Sequence, residues 1–163
     1  MRMTRAVLPA MRARRSGRII NMSSIGGFLP APFSGYYAST KHALEGYSEA
    51  LDHEVRRMGV RSSLIEPSFI ASDVEANSWR CDSPVAAYDA VRNAFLARFA
   101  DEIGKAPSTD VVARAVLKVI RAKNPPVRIP VGKGAKTLSR LRRFLPATIF
   151  GQIVRREYSL DKY

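Results

Sequence analysis

Tyr37 and Lys41 lie four residues apart in a stretch of helical periodicity, so their side chains share one face. A free tyrosine ionises near pH 10 and is a poor base at neutral pH, whereas an ammonium a few ångströms away favours the phenolate. Moving a phenol's pKa to about 7 takes roughly 4 kcal/mol, more than one lysine supplies; a cationic cofactor and further hydrogen bonds must complete it. Ser23 and Ser24 follow a short apolar run. A hydroxyl there can hold a substrate oxygen against the phenol, and the group as a whole can move a proton to or from an alcohol or carbonyl oxygen. Taken alone, a tyrosine and lysine at this spacing also describe an aromatic anchor beside a lysine stem.

The elements that would position these groups follow from the pattern. Residues 3–13 read as a helix tail despite Pro9, and Ser16-Gly17 breaks it. Arg18–Met22 suits a buried strand, followed by a Ser/Gly/Pro-rich loop from 23 to 35. From Ser34, Tyr37, Lys41, Leu44, Tyr47, Leu51, Val55 and Met58 form one face of a long helix, with Glu45, Glu49, Asp52 and Arg56 on another. Gly59 stops it, and Val60–Ile65 reads as a second strand closed by Glu66-Pro67. Strand, loop, helix, glycine, strand is a βαβ crossover, the mark of a parallel sheet. Further on, the pattern predicts short helical turns near 70–78 and helices over 84–103 and from Ser108 or Thr109 to the Asn124-Pro125-Pro126 stop. An edge strand over 127–131 limited by Pro130 follows, then two basic amphipathic helices near 134–144 and 147–157.

The chain has 163 residues, 46% apolar and 25% charged, which is one ordinary globular domain or a piece of one. A single cysteine, Cys81, excludes an internal disulfide, and His42 and His53 are too few for a metal cluster. No apolar run reaches the roughly 18 residues of a spanning helix, and the basic start lacks the apolar core of a signal peptide, so the expected location is the cytoplasm. The net charge of +13 sits at the two ends. Arg2, Arg5, Arg12, Arg14, Arg15 and Arg18 have no acid among them, and residues 121–156 carry ten basic residues and no acid. Solvated helix faces account for this. So does a polyanionic surface, with anionic lipid preferred to nucleic acid because no RNA-binding aromatic signature, finger or repeat is present.

Three segments in order and at suitable spacing resemble the short-chain dehydrogenase/reductase family: Asn21-Met22-Ser23-Ser24 after a strand, Tyr37-Ala38-Ser39-Thr40-Lys41 opening a helix, and Glu66-Pro67-Ser68-Phe69-Ile70 after the next strand. The likeness is strongest over residues 8–73 and its layout extends to the C-terminus. It implies an α/β fold, the C-terminal part of a Rossmann-like doubly wound parallel sheet. Residues 1–73 end the core and carry the site, 74–107 cap the substrate, and 108–163 form the last strand and C-terminal helices. It implies that Tyr37 is the proton donor or acceptor, that Lys41 favours the phenolate and holds the nicotinamide ribose, and that Ser24, with Ser23 as the alternative, positions the substrate oxygen. Pro67, Ser68 and Ile70 join Tyr37 and Lys41 in contacting the cofactor, NAD or NADP. The implied activity is hydride transfer between that cofactor and a small alcohol, ketone or aldehyde in a homo-oligomeric parent, with no metal and no nucleic acid.

The departures are also part of the reading. The family's Gly-rich phosphate turn has no match, Gly26-Gly27 lies in the wrong place, and Ser68 replaces the glycine of the third motif. By the resemblance, the turn and the fourth catalytic residue, an asparagine, precede Met1. The alternatives are an inactive truncated fragment of such an enzyme and a basic membrane-surface module. Trp79, Tyr88 and Phe95 fall where the substrate is capped and suit either a pocket lining or plain packing, whereas His42, His53 and Cys81 read as ordinary surface or packing residues.

Overall fold

In the computed structural model, which describes all residues except 75, 79–80, 159 and 161–163, three parallel strands form one sheet in the order β1-β2-β3. The elements run α1 (Arg2–Ala13), β1 (Gly17–Met22), α2 (Gly35–Val55), β2 (Val60–Pro67), α3 (Asp89–Gly104), α4 (Asp110–Arg121), β3 (Arg128–Val131), α5 (Ala135–Phe144) and α6 (Ala147–Glu157). Gly17 to Met22 pair with Val60 to Ile65, and Leu64 to Pro67 with Arg128 to Val131.

Alternation along the strands feeds two cores. On one face Ile19 and Val60 pack with Leu51 and Val55 of α2, against Leu8 and Met11 of α1. On the other, Ile65 and Val131 pack with Ala115 and Val119 of α4. Helices therefore cover both faces, as the βαβ pattern predicts. Gly59 ends the α2 turn at φ 75°, and a Cβ there would overlap the Arg15 carbonyl, so the turn requires glycine. Pro130 sits on an edge strand, where its missing N–H costs no ladder bond.

Several local expectations shift. β2 continues through Glu66 and Pro67, two residues beyond the predicted end. The helix expected from 84 begins at Asp89 after a 3-10 turn over Ala86–Tyr88, with the Asp89 carboxylate in the first turn. Thr109 is the N-cap of α4 without a side-chain cap bond, and Ser108 Oγ instead meets the Asp110 carboxylate at 3.2 Å. The larger difference is on α2. Glu45, Ser48 and Asp52, predicted on an outer face or unremarked, are buried against the sheet. Asp52 is fully buried because Arg61 Nε and the Ser62 N–H each donate to its Oδ1 at 2.9 Å and Arg56 bridges its other oxygen. Burial works against the Asp52 carboxylate, but those hydrogen bonds outweigh it and hold its pKa below the usual range.

Among the described residues β1 pairs on one side only, with β2. Its free edge is a row of backbone donors and acceptors that templates pairing with another chain. Size-exclusion chromatography of the 163-residue chain is expected to show self-association; a monodisperse, cooperatively melting monomer would contradict this.

Candidate active site

The C-terminal ends of β1 and β2 meet the start of α2 around Gly26. Ser24 has an extended backbone (φ −166°, ψ 164°) and opens the 3-10 turn Ile25–Gly27. Its Oγ accepts from the Gly26 N–H at 3.1 Å and donates to the Pro67 carbonyl at 3.4 Å. A Cβ on Gly26 would stand 3.0 Å from Tyr37 Cε1 and 3.5 Å from Ser24 Oγ. The Ser24 hydroxyl and the edge of the Tyr37 ring thus approach the same glycine, where a side chain would crowd the ring.

Tyr37 is 47% exposed, with Lys41 Nζ 5.6 Å from its ring centroid. Lys41 donates to the Met22 carbonyl at 2.9 Å, which fixes the amine between the end of β1 and the phenol. Burial lowers the pKa of Lys41, and the charge of Glu45 one turn along opposes that. An ammonium has three donors, so two remain once Met22 is served.

Ser23 faces elsewhere. Its side chain is buried and its hydroxyl has no hydrogen-bond partner among the described residues. A Cβ on Gly27 would meet both Ser23 Oγ, at 2.8 Å, and Glu45 Oε1, at 2.7 Å. Of the other residues implied as cofactor contacts, Pro67 receives the Ser24 hydroxyl on its carbonyl. Ser68 spends its N–H on Val131 at 2.8 Å and its hydroxyl on Lys133 at 3.1 Å. Ile70 is buried.

Beneath this surface lies a charge cluster that the sequence reading missed. Arg128 of β3 donates to Glu66 at 2.9 Å and Glu49 at 2.7 Å and bridges Glu45. Glu66 is fully buried; burial, then the neighbouring charge of Glu45, push its pKa up to about 8 against the pull of Arg128. Burial also works against the Arg128 guanidinium, yet its carboxylate partners raise its pKa above the ordinary value. The hydrogen bond from Arg128 lowers the pKa of the more exposed Glu49. The cluster ties α2, β2 and β3 together next to the Ser24 turn. Glu66 follows the apolar pair Leu64-Ile65 in a strand that also carries Arg61, Ser62 and Ser63, so an acid there does not stand out in the sequence.

In the expected capping region, Phe95 is buried in an aromatic group, with ring centroids 5.9 Å from Phe33, 6.1 Å from Phe99 and 5.3 Å from Tyr158. Phe95 therefore packs, Tyr88 is exposed, and Trp79 lies outside the described residues. Cys81 is an exposed free thiol, and His42 bonds the Ala38 carbonyl through Nδ1 at 2.9 Å. Among the described residues, no three His, Cys, Asp or Glu side chains form a group that would hold a metal ion.

Comparison with known proteins adds to this geometry. The sequence profile of short chain dehydrogenases matches residues 1–82. The chain is 33% identical over 163 residues to a 3-ketodihydrosphingosine reductase of Bacteroides thetaiotaomicron, covering 97% of this chain and 60% of the relative. A solved short-chain dehydrogenase of Streptomyces avermitilis superimposes with a TM-score of 0.69 at 27% identity, over 94% of this chain and 57% of that one. A second, from Burkholderia cenocepacia in complex with NADP, gives 0.66 at 18% identity over 94% and 54%, a likeness of fold. The chain spans about half to three-fifths of the length of the curated relatives it matches.

Proposed function

The chain belongs to the short-chain dehydrogenase family, and from that premise we propose that it carries the proton-transfer side of an NAD(P)-dependent oxidoreductase acting on an alcohol/carbonyl pair. The observation that carries this reading is the meeting of the Ser24 hydroxyl and the Tyr37 ring at Gly26, with Lys41 beside that ring. A carbonyl oxygen held between these two groups accepts a hydrogen bond from Ser24 Oγ once that hydroxyl turns from the Pro67 carbonyl and, in the reductive direction, the proton from Tyr37 Oη. In the oxidative direction Tyr37 takes the proton back. Lys41 favours the phenolate by its charge.

The residues present fit a nicotinamide cofactor. The two donors left on Lys41 suit a ribose diol, and the Pro67 carbonyl, which accepts from Ser24, keeps a second lone pair. Such a cofactor supplies or accepts the hydride when bound. The test follows NADH or NADPH absorbance against a panel of long-chain and short-chain ketones and aldehydes. The chain is used, or the full polypeptide that carries it. Turnover of a ketone with either cofactor supports the reading, and no turnover across the panel counts against it.

A second reading concerns where the substrate is met. No helix among the described residues is long and apolar enough to cross a membrane. On α5 and α6, however, Leu141, Phe144, Ile149 and Ile153 stay exposed, Phe144 by 76%. Arg140, Arg143 and Arg156 are exposed on the same two helices. Such helices can lie in an anionic bilayer interface, each basic residue contributing about 1 kcal/mol. Co-sedimentation with anionic but not neutral vesicles is expected, lost at high salt and in Arg140→Glu/Arg143→Glu. Failure to bind anionic vesicles at low salt would remove this reading.

A further inference from the structure

The far end of the sheet carries a second feature that the catalytic reading does not use. A cleft of about 420 Å³ is lined by Arg18, Arg56, Gly59, Arg61, Lys123, Asn124 and Pro125. Arg18 and Arg61 are the second residues of β1 and β2, whereas Ser24 and Pro67 lie beyond or at the other ends of those strands. The cleft and the Tyr37 site therefore sit at opposite edges of the same sheet.

The charges around this cleft do not balance. Arg18 and Arg61 are register partners on adjacent strands, and like charges placed side by side in a sheet repel. Among the described residues, Asp52 is the one carboxylate that pairs with lining residues; it takes Arg56 and Arg61. Arg61 and Arg56 engage it through Nε and Nη2, and among the described residues Nη1 of each makes no hydrogen bond. Arg18 holds the Gly17, Ala122 and Lys123 carbonyls through its terminal nitrogens, while its buried Nε has no hydrogen-bond partner. Lys123 is exposed and makes no side-chain hydrogen bond or ion pair among the described residues. Among the described residues, four cations thus line the cleft while one buried carboxylate, bonded to two of them, stands beside it, and Asn124 adds an amide to the lining.

We propose that this cleft is a binding site for a small phosphorylated anion, held by Arg56, Arg61 and Lys123 and set in place by Arg18. Guanidinium forks match phosphate oxygens, and a dianion would offset the repulsion between Arg18 and Arg61. The lining lacks the aromatic and aliphatic walls of an apolar ligand pocket, and its size suits a mono- or pyrophosphate group with a small substituent. The site is independent of the dehydrogenase assignment.

The test is calorimetric titration of the chain with inorganic pyrophosphate and, separately, inorganic phosphate at low salt, with amide chemical shifts recorded in parallel. The expected result is one saturable site per chain, with the largest shifts at Gly59, Arg61 and Asn124. Lys123→Glu should weaken binding by at least about tenfold. Lys136→Glu, which changes the net charge equally on the exposed surface of α5, should leave it within about twofold. Arg56→Gln gives a second weakened variant in which Arg61 and Ser62 still serve Asp52, and circular dichroism confirms that each variant is folded. Saturable binding lost only in the cleft variants supports the proposal. No saturable binding, or equal weakening by Lys123→Glu and Lys136→Glu, overturns it.

Discussion

Tyr37→Phe is expected to lower turnover by about 10²- to 10⁴-fold while cofactor affinity changes little. The substitution removes one oxygen and leaves the ring that borders Gly26, so the packing beside Ser24 is kept. What is lost is the hydroxyl proposed to give or take the proton. Lys41→Met should lower turnover comparably and also weaken cofactor binding, because it removes the charge beside the phenol and the two donors directed at a ribose. The comparison of kcat with KM and with cofactor dissociation separates the roles: Tyr37→Phe acts on kcat, Lys41→Met on both. Near-normal turnover in both variants on a good substrate would show that the proton moves by another route.

Stability of the chain should fall as pH rises from about 4.5 to about 8, with Glu66 the main cause. Below 4.5 its carboxyl is neutral in the folded and the unfolded chain, and its contribution is fully present. Above that the unfolded chain ionises freely, while the buried group resists until about 8. The folded state therefore loses stability across this window, by up to about 5 kcal/mol for a shift of this size. Asp52 and Glu49, whose pKa values are lowered, act in the opposite direction and at lower pH, where protonation removes their bonds to arginine. Urea melts across the window measure the slope. Glu66→Gln keeps a donor for Glu45 but cannot ionise, so its slope should be flatter. An unchanged slope would place the pH dependence on other groups.

The elements and the site differ in how far the sequence alone reveals them. The 3.6 periodicity of α2 and the apolar runs at Ile19-Ile20 and Leu64-Ile65 report burial directly, so the crossover and the parallel sheet were readable. Tyr37 and Lys41 were readable because helix spacing fixes which side chains share a face. Spacing within the resemblance prefers Ser24 and keeps Ser23 as the alternative; the structure sets the two apart, with Ser24 Oγ and the Tyr37 ring both near Gly26 and Ser23 Oγ against Gly27. Glu45, Asp52 and Glu66 were not readable as buried groups. Polar residues on a helix are expected to face water, and the partners that make the burial tolerable lie on other elements: Arg61 on the next strand for Asp52, and Arg128 on a strand distant in sequence for Glu45 and Glu66. Pairing of that kind leaves no local pattern.

The connections between strands also order events in time. β1 and β2 are joined by a single helix, whereas β2 reaches β3 only after α3 and α4. Closing the shorter connection costs less chain entropy, and formation of contacts distant in sequence slows folding. The β1–α2–β2 unit should therefore assemble first, bringing Ser24, Tyr37 and Lys41 into register before the segment around Phe95 has docked. Hydrogen exchange pulsed during refolding should protect amides of β1 and β2 ahead of those in α3. A lineage could then lengthen, shorten or recompose residues 74–107 without disturbing the step that builds the catalytic groups, so new substrate preferences would be accessible at little risk to folding.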